Sequence, residues 1–463
     1  MLAAHVTASA PQALRPRDRA LYGLGDLTVN TVLSAMVLVY TTHFLTQVAD
    51  LRPALAGLVP LVGRVVDAFF DPLMGRISDA TRWQAGRRRP YLLIGALPFG
   101  ASFALMWLVP ACLVGPEHQT ARFMYYVVAY GSAAIWMTVL SVPYLALLPE
   151  MALDYDERTT LSSWRNLGST LGIFAALGVK PLAERLGGGP PGFAAAGAIV
   201  GALLVPPWLV VHRVTFERPG FRAQAAALSL REASRAVARN RPFRRLVALF
   251  LAGRFAMDVT GALMILFVSY WLGRPEAFEP VMLSFLATVV LSLPLWLGLA
   301  RGREKSRIFI VATLWWAAAG LLFLLVRPDW PTAWVAALAC LAGLGFSAVD
   351  LMPWAMLGEV IDADELESGE RRDGLYNGFF TFLRKIAGAI GVFLVMAILD
   401  RAGFAKGESQ SETVRQAIRW LTTAAPSLCL LVAAAWARGY PLTRAEHARI
   451  RTALEARRGR GEG

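Results

Sequence analysis

At 463 residues the chain is long enough for two or three soluble domains. Its 56% hydrophobic and only 17% charged residues exclude that class, in which about 25% of residues are charged, so a polytopic membrane protein is expected. The net charge of +13 falls in short runs between apolar spans, a topological signal before it is a nucleic-acid surface, and no nucleic-acid partner is expected. Cys112, Cys340 and Cys429 are far apart and, like the five histidines, form no metal pattern. No metal and no cofactor are expected.

Residues 1–20 carry Arg15, Arg17 and Arg19 without a preceding apolar core. They read as a cytoplasmic tail, leaving the first span to act as the insertion signal. Apolar stretches of about twenty residues, enough to cross about 30 Å of hydrocarbon, predict twelve transmembrane helices. Their limits are 21–46, 54–76, 90–111, 122–148, 161–182, 192–212, 246–271, 280–300, 308–326, 332–357, 375–399 and 416–437. Spans 2, 4, 10 and 11 are expected to score as too polar in a strict hydropathy window. With the N-terminus inside, the inside segments hold about 31 Lys and Arg residues and the outside loops about 10, which places both termini in the cytoplasm.

The second span carries Arg64, Asp67 and Asp71 in an otherwise apolar run. On a helix they share one face, at i, i+3 and i+7. Ionisable groups at membrane depth are costly and mark ion or substrate pathways. A purely structural ion-pair network is the alternative, but Arg64 neutralises one aspartate and leaves the other short of a partner that a bound cation would supply.

The fourth span ends Val142-Pro143-Tyr144-Leu145-Ala146-Leu147-Leu148-Pro149-Glu150, and the tenth ends Met352-Pro353-Trp354-Ala355-Met356-Leu357-Gly358-Glu359. Each is followed by an acidic cluster and then by a span with internal cations, Arg165 in the fifth, Arg384 and Lys385 in the eleventh. This trace of duplication predicts an all-α fold of two pseudosymmetric six-helix bundles with substrate between them. The expected divisions are 21–212 and 246–437, a cytoplasmic linker 213–245 and a basic, helical tail 438–463. Leu228, Leu230, Ala233, Ala236 and Val237 among arginines make the linker either an amphipathic interfacial helix or a solvated basic segment. Arg254 and Asp258 are spaced to pair on one helix face. Asp350 has no partner on its own helix, and Asp26 reads as structural.

These segments, in this order, resemble the major facilitator superfamily and, within it, the glycoside–pentoside–hexuronide:cation symporters. The resemblance runs from Tyr22-Gly23-Leu24-Gly25-Asp26 to about Gly391. It rests on Arg64-Val65-Val66-Asp67-Ala68-Phe69-Phe70-Asp71-Pro72, on Gly75-Arg76-Ile77-Ser78-Asp79 with Gly86-Arg87-Arg88-Arg89-Pro90-Tyr91, on Asp154-Tyr155-Asp156-Glu157-Arg158, and on Pro353-Trp354-Ala355-Met356-Leu357. The resemblance implies that Asp67 and Asp71 hold the coupling cation, with Thr138 contributing a hydroxyl. It implies that Lys385 senses occupancy of that site beside Arg64, and that Arg165 lines the substrate cavity. The sugar-binding aspartates of melibiose permeases fall at Asn30 and Ser141, and a stacking tryptophan falls at Leu145, so the galactoside pattern is broken. Phe70 replaces an asparagine that offers oxygen, which makes a proton easier to accommodate than sodium. Lysolipid symporters also carry D-A-x-x-D-P and P-W-x-M-L.

The expected function is therefore cation-coupled symport, with H+ or Na+, of a small sugar- or glycoside-type solute across a bacterial-type inner membrane, by a monomer. Asn30, Ser141, Tyr144, Arg165, Trp354 and Tyr376 are the substrate-binding candidates, with filling of helix contacts an equal alternative for the rings of Tyr144, Trp354 and Tyr376. Asp79, Arg87 and Arg88 are candidates for an inside gate between the halves. Transport of a lysolipid or other amphiphile is one alternative, and a non-transporting membrane sensor or scaffold is another. No nucleophile or metal constellation suggests an enzyme.

Overall fold

The computed structural model describes residues 15–84, 86–152, 155–218, 235, 237–370, 372–407 and 409–459. The longer helices in chain order are α1 (Pro16–Val48), α2 (Pro53–Ala80), α3 (Arg89–Met106), α4 (Gln119–Met151), α5 (Tyr155–Leu177), α6 (Gly189–Val214), α7 (Arg241–Trp271), α8 (Phe278–Ala300), α9 (Lys305–Leu322), α10 (Thr332–Ser368), α11 (Asp373–Arg401), α12 (Glu412–Arg438) and the tail helix α13 (Arg444–Gly459). Local chemistry starts several of them. Proline stands in the first turn of α2, α3, α6 and α7, where its missing N–H costs nothing. Asn240 and Ser411 cap α7 and α12 by accepting from the backbone N–H groups of Phe243 and Val414.

Among the described residues, eleven helices are long and apolar enough to cross a membrane. Spans 2, 4, 10 and 11, expected to fail on polarity, all qualify, because the few charges in each are outweighed by the apolar residues around them. α5 is the one that does not qualify. It carries Thr160, Ser162, Ser163, Asn166, Ser169 and Thr170 as well as Arg165. Its attachment comes from close backbone packing. A Cβ on Gly168 would lie 2.0 Å from the Gly23 carbonyl oxygen, and one on Gly172 would lie 2.3 Å from that of Leu27. This is the small-xxx-small mode by which helices associate in lipid.

The two halves repeat one packing plan. α1 packs on α5, α2 on α4, and α3 on α4 and α6; adding six to each number gives the pairs α7–α11, α8–α10, α9–α10 and α9–α12. α1 and α7 both finish in π-helical turns, Met36–Val48 and Phe267–Trp271. The repeated helix ends found in the sequence also do the same job twice. Arg88 donates to the Ala146 carbonyl (2.8 Å) and pairs with Glu150 (3.1 Å). Lys305 donates to the Ala355 carbonyl (3.0 Å) and pairs with Glu359 (2.9 Å).

Contact between the halves is made by α2 with α11 and by the π-helical end of α1 with α7. It lies toward the loops 49–52 and 402–411, where Gly57 of α2 meets Phe393 and Met396 of α11. The counterpart pair α5–α8 touches only lightly. The central cavity, about 600 Å³, is thus sealed on the side away from the chain termini. The linker, read as either an interfacial helix or a solvated basic segment, falls on residues mostly outside those described. The tail is helical as expected, and His447 of α13 sits 2.9 Å from Asp362 at the end of α10.

Candidate functional site: a charged centre where the two halves meet

α2 and α11 bring the charged residues of both halves together at the wall of the cavity. Lys385 Nζ lies 2.8 Å from Asp71 Oδ2 and 3.6 Å from Asp67 Oδ2, so one amine of α11 spans two carboxylates of α2. Arg64 Nη1 holds the same Asp67 oxygen at 3.1 Å. Thr138 of α4 donates to Asp71 Oδ1 at 2.7 Å. The helical spacing read from the sequence accounts for the shared face of Arg64, Asp67 and Asp71. The approach of Lys385 across the chain is a tertiary event.

The two aspartates differ in setting. The Asp67 side chain is 1% exposed and that of Asp71 is 36% exposed. Asp67 Oδ1 is buried without a hydrogen-bond partner, and leaving such an acceptor unsatisfied costs about 1–3 kcal/mol, more when it is charged. The centre therefore holds one acceptor position that a proton or small cation would fill, and one carboxylate, Asp71, reachable from the cavity. Close packing fixes the geometry: a Cβ on Gly63 would fall 2.2 Å from the buried Tyr130 ring, one residue before Arg64.

A second cluster faces the same cavity from the C-terminal half. Arg254 forms a bidentate pair with Asp258, with Nε–Oδ2 at 2.9 Å and Nη2 on Oδ1, and stands 3.8 Å from Asp350. Gly388 of α11 makes room for it, since a Cβ there would come within 1.9 Å of Asp258 Oδ2. Asp350, with no partner on its own helix, both faces the cavity and neighbours Arg254.

Of the six substrate-binding candidates, Asn30 and Ser141 line the cavity. The other four do not. Arg165, expected to line it, grips Asp26 through Nε (2.6 Å) and Nη2 (3.1 Å) and lies over the Tyr144 ring. Tyr144 is buried and donates to Asp26 (2.7 Å), and its ring stacks on Tyr22 at 4.4 Å. These four residues tie α1, α4 and α5 together. Trp354 packs edge-on against Phe380 (4.9 Å). Tyr376 is fully buried and donates to Asp364 (2.7 Å). Rings whose shape suits a sugar face fill helix contacts instead, because the repeated Pro-aromatic helix ends point into their own bundle.

Asp79, Arg87 and Arg88, expected as a gate between the halves, instead build a lock inside the N-terminal half. Arg88 bridges Asp79 (2.6 Å) and Glu150 (3.1 Å), and Arg87 reaches Glu150 at 3.3 Å. Glu217, just past α6, accepts the backbone N–H groups of Arg87, Arg88 and Arg89. Sequence reasoning does not place Arg384 in the site, yet it lines the cavity beside Lys385. Its position next to the expected lysine is the available signal.

The chain has relatives among known proteins. The family described as "MFS/sugar transport protein" matches residues 21–444. The "Uncharacterized symporter sll1374" of Synechocystis sp. is 30% identical, over 94% of this chain and 96% of its own length. The "Putative glycoside/cation symporter YagG" of Escherichia coli is 31% identical, over 90% of this chain and 89% of its own. In fold the chain resembles a bacterial homologue of the human lysosomal transporter Spinster, crystallised in an inward-facing, unoccupied conformation. That match has a TM-score of 0.66 at 15% identity, and covers 95% of this chain and 98% of the other. The ordered motifs, the repeated six-helix plan, the charged cavity and a match over most of the chain lead to one placement: this is an integral membrane protein of the MFS/sugar transport family, a symporter of the major facilitator kind.

Proposed function

We propose that the chain couples movement of a monovalent cation to uptake of a sugar- or glycoside-type solute by alternating access, in a bacterial-type inner membrane with both termini cytoplasmic. The observation that carries the reading is the Lys385 amine lying within 3.6 Å of two carboxylates from the opposite half. A cation arriving at Asp67 and Asp71 competes with that amine. α2–α11 is a main contact between the halves, so displacing Lys385 weakens the contact that keeps one face closed. Cation occupancy then shifts the balance of outward- and inward-open states. A solute that prefers the cation-loaded state binds more tightly when the cation is present, and the converse holds by linkage.

Asp67, Asp71 and Thr138 supply the site's oxygen ligands, with Phe70 adding none. Sodium requires a fuller set of hard oxygen donors, whereas a proton needs only one carboxylate oxygen, so proton coupling is the favoured form. Asn30 and Ser141 offer hydrogen bonds to solute hydroxyls. A second reading, transport of an amphiphile, is favoured by the cavity wall of the C-terminal half, where Met257, Met282, Phe285, Trp316 and Phe346 face inward. The test is uptake into proteoliposomes of solutes found by a thermal-shift screen of glycosides and amphiphiles, under imposed pH or sodium gradients. Accumulation that collapses when one gradient is dissipated identifies the coupling ion. Uptake that only equilibrates the solute under both gradients rejects symport.

A further inference from the structure

We propose that Arg384 receives the anionic group of the transported solute, which makes that solute an organic anion (carboxylate, sulfonate or phosphate) with an apolar arm. The inference rests on the symport reading and narrows its solute.

Four cations line the cavity, and three are committed. Arg64 holds Asp67, Lys385 holds Asp71, and Arg254 holds Asp258 in a bidentate pair. Arg384 makes no hydrogen bond and no ion pair among the described residues, and its nitrogens are not among the buried unpartnered atoms, so they are open to the cavity. The repeat sharpens the contrast. Across α1–α5, Arg165 of the second helix is neutralised by Asp26 of the first. Across the corresponding pair α7–α11, Asp258 is taken by Arg254 of its own helix, and the α11 arginine is left over. Asp350, the one other acid lining this cavity among the described residues, stands 3.8 Å from Arg254.

An unpaired guanidinium at membrane depth is expensive. Its planar fork of donors suits carboxylate, sulfonate or phosphate oxygens. The wall beyond it is apolar and aromatic: Phe285 and Trp316 meet Phe346 edge-on at 5.1 and 5.0 Å, with Met257 and Met282 alongside. Polar groups from the opposite half, Asn30, Ser34 and Ser141, complete the lining. A ligand that satisfies all three surfaces carries a charge at one end and hydrocarbon at the other.

The experiment titrates purified full-length protein in a neutral detergent with paired probes, one anionic and one neutral in each pair. The pairs are 3-phenylpropionate with 3-phenylpropanamide, and phenyl β-glucoside 6-phosphate with phenyl β-glucoside. At least one anion should bind about tenfold or more tighter than its neutral partner, the scale of a charge-assisted hydrogen bond. Arg384→Gln should bring that ratio close to one without changing the neutral probe's Kd, and Arg384→Lys should keep part of it. The unliganded Arg384→Gln protein should melt at the same temperature or higher. The proposal is overturned if no anion is preferred by the wild type, including the case where none binds, or if Arg384→Gln keeps the ratio. It is also overturned if Arg384→Gln melts lower and loses both probes, the mark of a structural arginine, or if Asp350→Asn creates the preference, the mark of an Asp350–Arg384 pair. Asp71→Asn separates the two readings. An uncoupled Asp71→Asn protein without anion preference in the wild type removes only this inference. Uphill transport by Asp71→Asn removes the symport reading and leaves the Arg384 result standing.

Discussion

Asp71→Asn is the most informative single change at the charged centre. At 2.8 Å from Lys385 the pair interacts with about 6 kcal/mol at an effective dielectric of about 20. Both side chains are partly solvated, 22% exposed for Lys385 and 36% for Asp71, so the net contribution is smaller, about 1.5–3 kcal/mol as for other hydrogen bonds to charged groups. Lys385 also keeps Asp67 at 3.6 Å, and an asparagine oxygen can still accept from Thr138. The mutant is therefore expected to fold, with a modest fall in melting temperature. Function should be hit far harder. One pH unit is worth about 1.4 kcal/mol, enough to sustain about tenfold accumulation at one-to-one coupling. In proteoliposomes the wild type should approach that ratio. Asp71→Asn should stay at a ratio of one while still exchanging labelled for unlabelled solute in counterflow. Accumulation by the mutant at the wild-type level would refute the assignment of Asp71 to the cation site.

Lys385→Gln removes the amine that competes for Asp67 and Asp71, so stabilisation by the coupling cation in a thermal-shift titration should grow while uphill uptake is lost. Gly388→Ala puts a methyl group where Asp258 Oδ2 now sits. A loss of about 1–3 kcal/mol, typical of overpacking, should appear in denaturation, and an unchanged midpoint would mean that the Asp258 carboxylate has room to move. Arg165→Ala strands Asp26, which is 14% exposed, and should cost about 3–5 kcal/mol as one-sided loss of a buried pair does, read as a lower melting temperature with solute affinity in the surviving folded protein unchanged.

Much of this molecule is legible in one dimension. Twelve stretches read as spans correspond to twelve helices, eleven of them long and apolar enough to cross a membrane, because crossing lipid constrains both length and composition. Arg64, Asp67 and Asp71 share a face because helical periodicity requires it. The departures have a common cause. Arg165, Tyr144, Trp354 and Tyr376 are cavity candidates by sequence, yet sequence reports that a polar group is inside a span and not which way its helix is turned. Rotation is set by packing, and here Gly168 and Gly172 seat α5 on α1 so that Arg165 meets Asp26. That glycine spacing is visible in the sequence and carries more about α5 than its hydropathy does. The lock of Asp79, Arg88 and Glu150 departs from the expected gate for a related reason: a run of arginines declares its charge but not which bundle supplies the acids.

The duplicated architecture gives the charge distribution its meaning. In the N-terminal half, Arg165 is closed on Asp26, and Arg88 on Glu150 and Asp79, so those pairs do not bridge the two halves. Lys385 is different: its acids belong to the other half. Any motion that parts α2 from α11 must first break that pairing, and losing it leaves two carboxylates one helical turn apart with only Arg64 to offset them. Without a replacement cation such separation is costly; with one, the acids remain neutralised and the halves can part. A charge pair within a half would hold helices together equally well but could not link cation binding to movement between halves. For this reason the position of Lys385 across the interface, more than the presence of acids in the membrane, argues for coupled transport.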